Sequence, residues 1–278
     1  DLGDIEVIRK FAFQVSSLLK LDYLYCLTVA DISATNPTLW NSWNASLLSD
    51  LYFKTRSYLK KDKSISTQRS SILLKKRALN LLINRFHRDE KEILNLWRNF
   101  YSSYFESFDE EMLAFHGYLL LSSSEDSTIV EILDEQDFSA AQILVYTKDR
   151  PNVFASIINQ IDVENINILE ARLFGTKNGF CLDIIKVSDQ LGNSLNENPE
   201  TLQRIRFALL QELSKKELNP KFIKKRIPLK LKHFQQKTVI KIKHDMKNRW
   251  TQIDLETADR PGLLSAISNV FRDHNASI

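Results

Sequence analysis

A short motif that occurs twice constrains the fold of this chain more than any other feature. The pattern Thr-x-Asp-Arg-Pro stands at residues 147–151 and again at residues 257–261, each time after an apolar run and before a helix-like run. The 110 residues that separate Asp149 from Asp259 are far too many for a solenoid repeat. The sequence therefore predicts two copies of one small domain in tandem.

The first copy shows the apolar spacing of alternating strands and helices. Its predicted elements are a strand at 141–147, a helix at 153–163, strands at 166–175 and 180–187, and a helix at about 200–216. A fourth strand at 238–242 would complete a βαββαβ unit, in which helices cover one face of an antiparallel sheet. The second copy reaches only one strand and one helix by Ile278, so we expect the natural chain to continue there.

The N-terminal part of the sequence is helical throughout. Apolar residues recur every three or four positions after Ile5, after Trp40 and from about residue 67 to 87. Polar stretches at residues 60–66 and 122–126 separate these helices from one another and from the second half. The predicted class is α+β, with a helical part at 1–122, a ferredoxin-like first copy with its connector at 139–245, and the start of the second copy at 249–278.

Composition excludes several classes of protein. No apolar run approaches the roughly 20 uncharged residues of a membrane-spanning helix, and neither a membrane nor a nucleic acid is an expected partner. The net charge is only +3, and basic residues are dense only at 215–232. Cys26 and Cys181 show no disulfide or metal spacing, which fits a reducing cytoplasm. The sequence starts without Met or a signal peptide, so we expect the natural N-terminus upstream.

The repeated motif suits the binding of a small carboxylate. In the second copy proline fits the first helical turn, glycine lets a ligand approach the backbone, and free amides at the helix start attract an anion. The candidate binding residues are Asp259, Arg260, Pro261, Gly262 and Leu263, and in the first copy Asp149, Arg150, Asn152 and Val153. Asn152 replaces the glycine and places a side chain beside any ligand. An aspartate that only caps the helix explains a single motif, but it explains two copies less well.

On these residues the two copies resemble tandem ACT domains, which are sensor modules that usually bind amino acids. Residues 27–43, LTVADISATNPTLWNSW, are similar to the end of the HD hydrolase domain of PII uridylyltransferases. Residues 226–234 resemble the connection between the ACT domains of the same proteins. Along the chain the order is HD-domain end, linker helices, first ACT domain, connector and the start of a second ACT domain. In this order the chain resembles a fragment of the bacterial bifunctional uridylyltransferase/uridylyl-removing family.

This resemblance implies a role in the regulation of nitrogen metabolism. A nucleotidyltransferase domain of the family uses UTP to uridylylate the PII signalling protein, an HD domain removes the group hydrolytically, and the ACT pair senses glutamine. The resemblance implies Mg²⁺ or Mn²⁺ in the full-length enzyme and allows self-association through ACT domains. It matches Asp31 to one metal ligand of the HD domain. The other ligands and the transferase site would lie upstream, so no catalytic residue and no activity are expected in this chain alone.

Two alternatives stay open. A (p)ppGpp synthetase/hydrolase also joins an HD domain to an ACT domain, but it has a single ACT copy and other domains between the two. A non-catalytic regulator would fuse amino-acid-binding ACT domains to a helical dimerisation domain. The one His-Asp dipeptide, at residues 244–245, follows a predicted strand and is not expected to bind metal.

Overall fold

The computed structural model describes residues 5–35, 40, 42–60, 67–123, 127–133, 140–193, 195, 199–220, 237–245, 250–274 and 276. Residues 61–66 of the predicted polar stretch and the predicted connector at 226–234 lie outside these residues. The N-terminal part is helical, as predicted. Its helices are α1 (Ile5–Val15), α2 (Leu18–Thr35), α3 (Ser42–Lys60), α4 (Thr67–Asn84), α5 (Glu90–Trp97), α6 (Ser102–Glu106) and α7 (Glu110–Leu121).

Aspartate side chains fix the starts of two of these helices. Asp89 accepts hydrogen bonds from the amides of Lys91 and Glu92 at 2.8 and 3.3 Å, and Asp109 accepts one from Met112 at 2.9 Å. Helix α4 ends at Asn84, three residues before the predicted end. The chain turns there, and His87 adopts a left-handed conformation with a φ of 52° that no helix accommodates.

The first copy of the repeat builds a four-stranded antiparallel sheet. Its strands are β1 (Ile129–Leu133), β2 (Ala141–Lys148), β3 (Asn167–Gly175) and β4 (Phe180–Ser188), in the spatial order β1-β2-β4-β3. Helices α8 (Val153–Val163) and α9 (Pro199–Leu213) pack on one face. The mixed α+β class with an antiparallel, helix-covered sheet agrees with the prediction.

The strand that fills the edge beside β2 differs from the prediction. The segment expected there forms β5 (Val239–Asp245), which pairs with β6 (Trp250–Glu256) in a separate two-stranded sheet followed by α10 (Leu263–Asp273). Strand β1 occupies the edge instead. Alternation predicts that a strand exists but not its partner, and both β1 and β5 pair with the strand that directly follows them.

The two copies repeat this hairpin in the same register. Ile129 lies opposite Tyr146 in the first copy, and Val239 lies opposite Glu256 in the second. The threonine hydroxyls that flank each pair, Thr128 with Thr147 and Thr238 with Thr257, are 2.9 Å apart in both copies. The repeated unit therefore begins with a strand before the motif strand. The domain limits 139–245 and 249–278 stay predictions.

The first sheet is covered on both faces. One face packs on α8 and α9, and the other packs on the helices α4 to α7. Strand β4 shows the division, because Cys181 and Ile185 belong to the first core while Leu182 and Ile184 belong to the second. Burial on both faces explains why this strand reads as a nearly continuous apolar run. Within the described residues, none of the helices has the length and apolarity to cross a membrane.

Candidate functional site

A cavity of 490 Å³ lies where the motif loop of the first copy meets helix α10 of the second. Residues 149–155 form one wall, and the ends of β3 and β4 form the floor, where Cys181 and Asp183 lie. Phe271 and Arg272 of α10 form the opposite wall. The volume is that of a small-molecule site, for which roughly 300–1,000 Å³ is usual.

The motif loops of the two copies have the same backbone. Asn152 has φ 73° and ψ 8°, and Gly262 has φ 74° and ψ 15°. In both copies the carbonyl of this residue accepts a 2.9 Å hydrogen bond, from the amide of Ser156 or of Ala266. Asparagine is one of the few residues that tolerate this left-handed conformation, so its replacement of glycine preserves the loop.

The side chain of Arg150 is committed to the fold. Its guanidinium donates hydrogen bonds to the carbonyls of Leu213, Lys215 and Lys216, at 2.5, 2.6 and 3.0 Å. The Leu213 carbonyl belongs to the last residue of α9 and the other two follow it directly, so all three lie at the C-terminal end of the helix, where a cation is favourable. The Asn152 side-chain amide likewise donates to the Leu218 carbonyl at 2.9 Å. Both side chains fasten the segment after α9, and the backbone of the loop is left to meet a ligand.

The start of α8 offers hydrogen-bond donors to the cavity. Within the part of the chain that the structure describes, the amides of Phe154 and Ala155 have no acceptor, and both residues line the cavity. The first amides of a helix carry a partial positive charge and suit a carboxylate. The predicted site residue Val153 belongs to the same turn, where its amide makes a long 3.4 Å bond to the Arg150 carbonyl.

Asp183, a buried acid that was not among the predicted site residues, completes the first-copy site. Asp183 is 2% exposed, lines the cavity, and forms no hydrogen bond or ion pair with any described residue. Burial, and to a smaller extent the charge of Asp149, raises the pKa of its carboxyl to about 7. In the sequence, the sign of such a residue is that Asp183 is the single acid within the apolar strand predicted at 180–187. Burial also raises the pKa of the neighbouring Cys181 thiol, so that thiol is not an activated nucleophile.

The predicted site residues of the second copy lie away from this cavity. Asp259 and Pro261 are exposed, while Arg260, Gly262 and Leu263 are half-buried. The described residues of the second copy include no counterparts of β3 and β4, whose ends form the floor of the first site. The structure therefore brings the first motif together with the helix of the second copy, and it does not join the two motifs in one site.

Asp31 lies on the exposed side of α2, where it accepts a 3.4 Å hydrogen bond from the Thr35 hydroxyl. Among the residues that the structure describes, no group of three potential ligands could hold a metal ion. One carboxylate does not make a divalent-metal site, which needs several oxygen or nitrogen ligands. These residues alone do not fit a metal, and the assignment of Asp31 stays a prediction.

Comparison with known proteins finds curated relatives that match the whole chain. It is 36% identical over 284 residues to the bifunctional uridylyltransferase/uridylyl-removing enzyme of Pseudomonas savastanoi pv. phaseolicola (strain 1448A / Race 6), covering 100% of this chain and 32% of the relative. It is 34% identical to the enzymes of that name from Pseudomonas putida (strain W619) and Psychrobacter sp. (strain PRwf-1), with 31% and 32% of their lengths covered. No protein-family model matches the chain, and no solved structure matches it significantly. The chain spans about a third of the curated relatives it matches. Over its whole length it is similar to bifunctional uridylyltransferase/uridylyl-removing enzymes, as a fragment of such an enzyme would be.

Proposed function

We propose that this chain is the glutamine-sensing part of an enzyme that uridylylates the PII protein and removes the uridylyl group. The observation that carries the proposal is the cavity between the two copies, at the motif loop of the first. It has the size of a small-molecule site, and the free amides of Phe154 and Ala155, which line it, suit a carboxylate. Two tandem copies, joined at such a cavity, are what an ACT-type sensor pair requires.

The sheet of the first copy supplies a physical route from the ligand to the helical part. Strand β4 carries Asp183 into the cavity and the adjacent Leu182 and Ile184 into the core shared with α4 to α7. Arg172 on β3 donates to the Ser107 carbonyl at 2.7 Å, which ties the sheet to the end of α6. A ligand that binds one position of these strands more tightly than another shifts the equilibrium between the corresponding positions of the helices. The size of the shift is set by the difference in binding free energy.

The catalytic steps belong to the proposal as well, and they rest on the relatives. One step would transfer a uridylyl group from UTP to PII, and the other would remove it with Mg²⁺ or Mn²⁺. Both would be performed by parts of the enzyme outside the third of the relatives' length that this chain matches. A cytoplasmic location and self-association through the sheets fit the same reading. Among the alternatives, the relatives' name favours the uridylyltransferase over a (p)ppGpp enzyme or a non-catalytic regulator.

Isothermal titration of L-glutamine into the 278-residue chain at pH 8 tests this function. We expect saturable binding with one ligand per chain, because the described residues form one such cavity at the first motif. D-Glutamine and L-glutamate, titrated into the same protein, measure the selectivity for handedness and for the side-chain amide. A folded chain that takes up none of the three would overturn the proposed function.

A further inference from the structure

Asp183 is an unusual residue to find at the centre of a sheet. It pairs with Val145 on one side and Leu173 on the other, and its side chain faces α8 between Cys181 and Ile185. A buried carboxylate is costly unless a cation or hydrogen-bond donors compensate it. No described residue does so for Asp183, which is 2% exposed and lines the cavity.

The two arginines that line the cavity are engaged elsewhere. Arg150 donates to the carbonyls at the C-terminal end of α9. Arg272 donates to the Pro220 carbonyl at 2.7 Å and to the Asp273 carboxylate at 2.9 and 2.7 Å. The remaining charged groups of the lining are therefore the carboxylates of Asp149 and Asp183.

These groups give the cavity two unlike ends. The first amides of α8 suit an anion, whereas the two carboxylates suit a cation with several hydrogen-bond donors. A primary ammonium group has one positive charge and three donors, which matches a pair of carboxylates. An α-amino acid carries both complementary groups on one carbon.

We infer that Asp183, with Asp149, forms an ammonium subsite that holds the α-amino group of the ligand while its carboxylate meets the amides of Phe154 and Ala155. This inference rests on the proposed function and deepens it. It places the ligand in the first copy, between the sheet and α10, and makes Asp183 a residue that contacts the ligand directly.

The subsite gives binding a defined dependence on pH. The titratable and charged groups around Asp183 are Asp149 on the loop, Cys181 on its own strand, and the two engaged guanidinium groups of Arg150 and Arg272. The ligand's ammonium requires Asp183 to be ionised, and the pKa of its carboxyl is about 7 without ligand. Affinity is therefore highest above pH 7 and falls by about tenfold between pH 8 and pH 6, as the carboxyl takes up a proton.

The test compares the wild-type chain with Asp183→Asn, titrated with L-glutamine at pH 6 and pH 8. Asparagine keeps the shape and removes a charge that no described residue pairs, so the variant is expected to fold, which circular dichroism checks. We expect at least about tenfold weaker binding at pH 8 and the loss of the pH dependence. 4-Carbamoylbutyrate, which is glutamine without its amino group, should bind the wild type and the variant with similar low affinity.

The outcomes separate the inference from the function on which it rests. If the wild type binds glutamine and Asp183→Asn binds it equally well with the same pH profile, the ammonium subsite is wrong and the sensor function stands. If the wild type discriminates poorly between glutamine and 4-carbamoylbutyrate, the subsite is also wrong. A folded wild-type chain that does not bind glutamine at either pH overturns both.

Discussion

Asn159 of α8 and Asn269 of α10 occupy the same position in the two copies, and they meet across the interface between them. The side-chain amide nitrogen of Asn269 lies 3.5 Å from the side-chain oxygen of Asn159, which also accepts a hydrogen bond from the Ser265 hydroxyl. All three residues are buried. The copies therefore pack helix against helix at these asparagines.

This contact predicts a stability cost for Asn159→Ala. The substitution removes the acceptor of two buried donors, and we expect the free energy of unfolding to fall by about 1–3 kcal/mol in urea titrations. Asn95→Ala, on the exposed side of α5, serves as the control and should change stability by less than about 0.5 kcal/mol. Equal effects of the two substitutions would mean that the asparagine contact does not hold the copies together.

The equivalent arginines of the two motifs should differ in their effect on stability. Arg150 caps α9 with three hydrogen bonds, so Arg150→Ala should lower the free energy of unfolding by about 1–3 kcal/mol. Arg260 makes no side-chain hydrogen bond to any described residue, and Arg260→Ala should cost less than about 0.5 kcal/mol. Thermal melts of both variants check the difference, and a larger loss for Arg260→Ala would contradict it.

The equivalent aspartates should differ in their effect on binding. Asp149 lines the cavity, whereas Asp259, which has the same local sequence and is also exposed, does not. We expect Asp149→Ala to weaken glutamine binding about three- to tenfold, as the loss of one partly solvated charge contact does, and Asp259→Ala to leave it unchanged. Titration calorimetry of the two variants decides this. A loss confined to Asp259→Ala would move the site to the second copy.

His116 predicts how stability changes with pH. It is fully buried in α7 beside Tyr104, with 3.2 Å between its Nδ1 and the tyrosine hydroxyl, and burial lowers its pKa to about 3. Because the folded pKa lies below the unfolded value of about 6.5, the contribution of the neutral ring is present above pH 6.5 and lost as the pH falls toward 3.

The measurement for His116 is urea unfolding of the wild type and His116→Gln at pH 7 and pH 5. Relative to the variant, the wild type should lose about 1.4 kcal/mol per pH unit below pH 6.5. The difference between the two proteins is the informative quantity, because all other acids titrate in both. A difference that does not change with pH would show that His116 is accessible to protons in the folded state.

The sequence predicted the helical half and the elements of the first sheet that follow the motif, because their apolar spacing is long and regular. It did not reveal the edge strand β1, whose five residues follow a polar stretch and give too short a pattern. The partner of β5 was equally hidden, since alternation specifies faces and not neighbours. Both errors concern pairing, which depends on contacts between distant segments.

The candidate site was predictable in its loop and not in its floor. The Thr-x-Asp-Arg-Pro repeat located the strand-to-helix turn, where Asn152 adopts a left-handed conformation that asparagine tolerates. Arg150 bonds to carbonyls that lie 63 to 66 residues further along the chain, a contact that the local sequence pattern does not show. Asp183 required knowledge of which face of β4 meets the cavity, and periodicity in an apolar run does not supply it.

The most direct test of the proposed glutamine site is a crystal structure of the chain with bound L-glutamine. We expect the ligand in the cavity between the copies, with its ammonium group within hydrogen-bonding distance of Asp183 and its carboxylate at the amides of Phe154 and Ala155. Glutamine bound at the loop from Asp259 to Leu263 instead, with the first cavity empty, would contradict the proposed site.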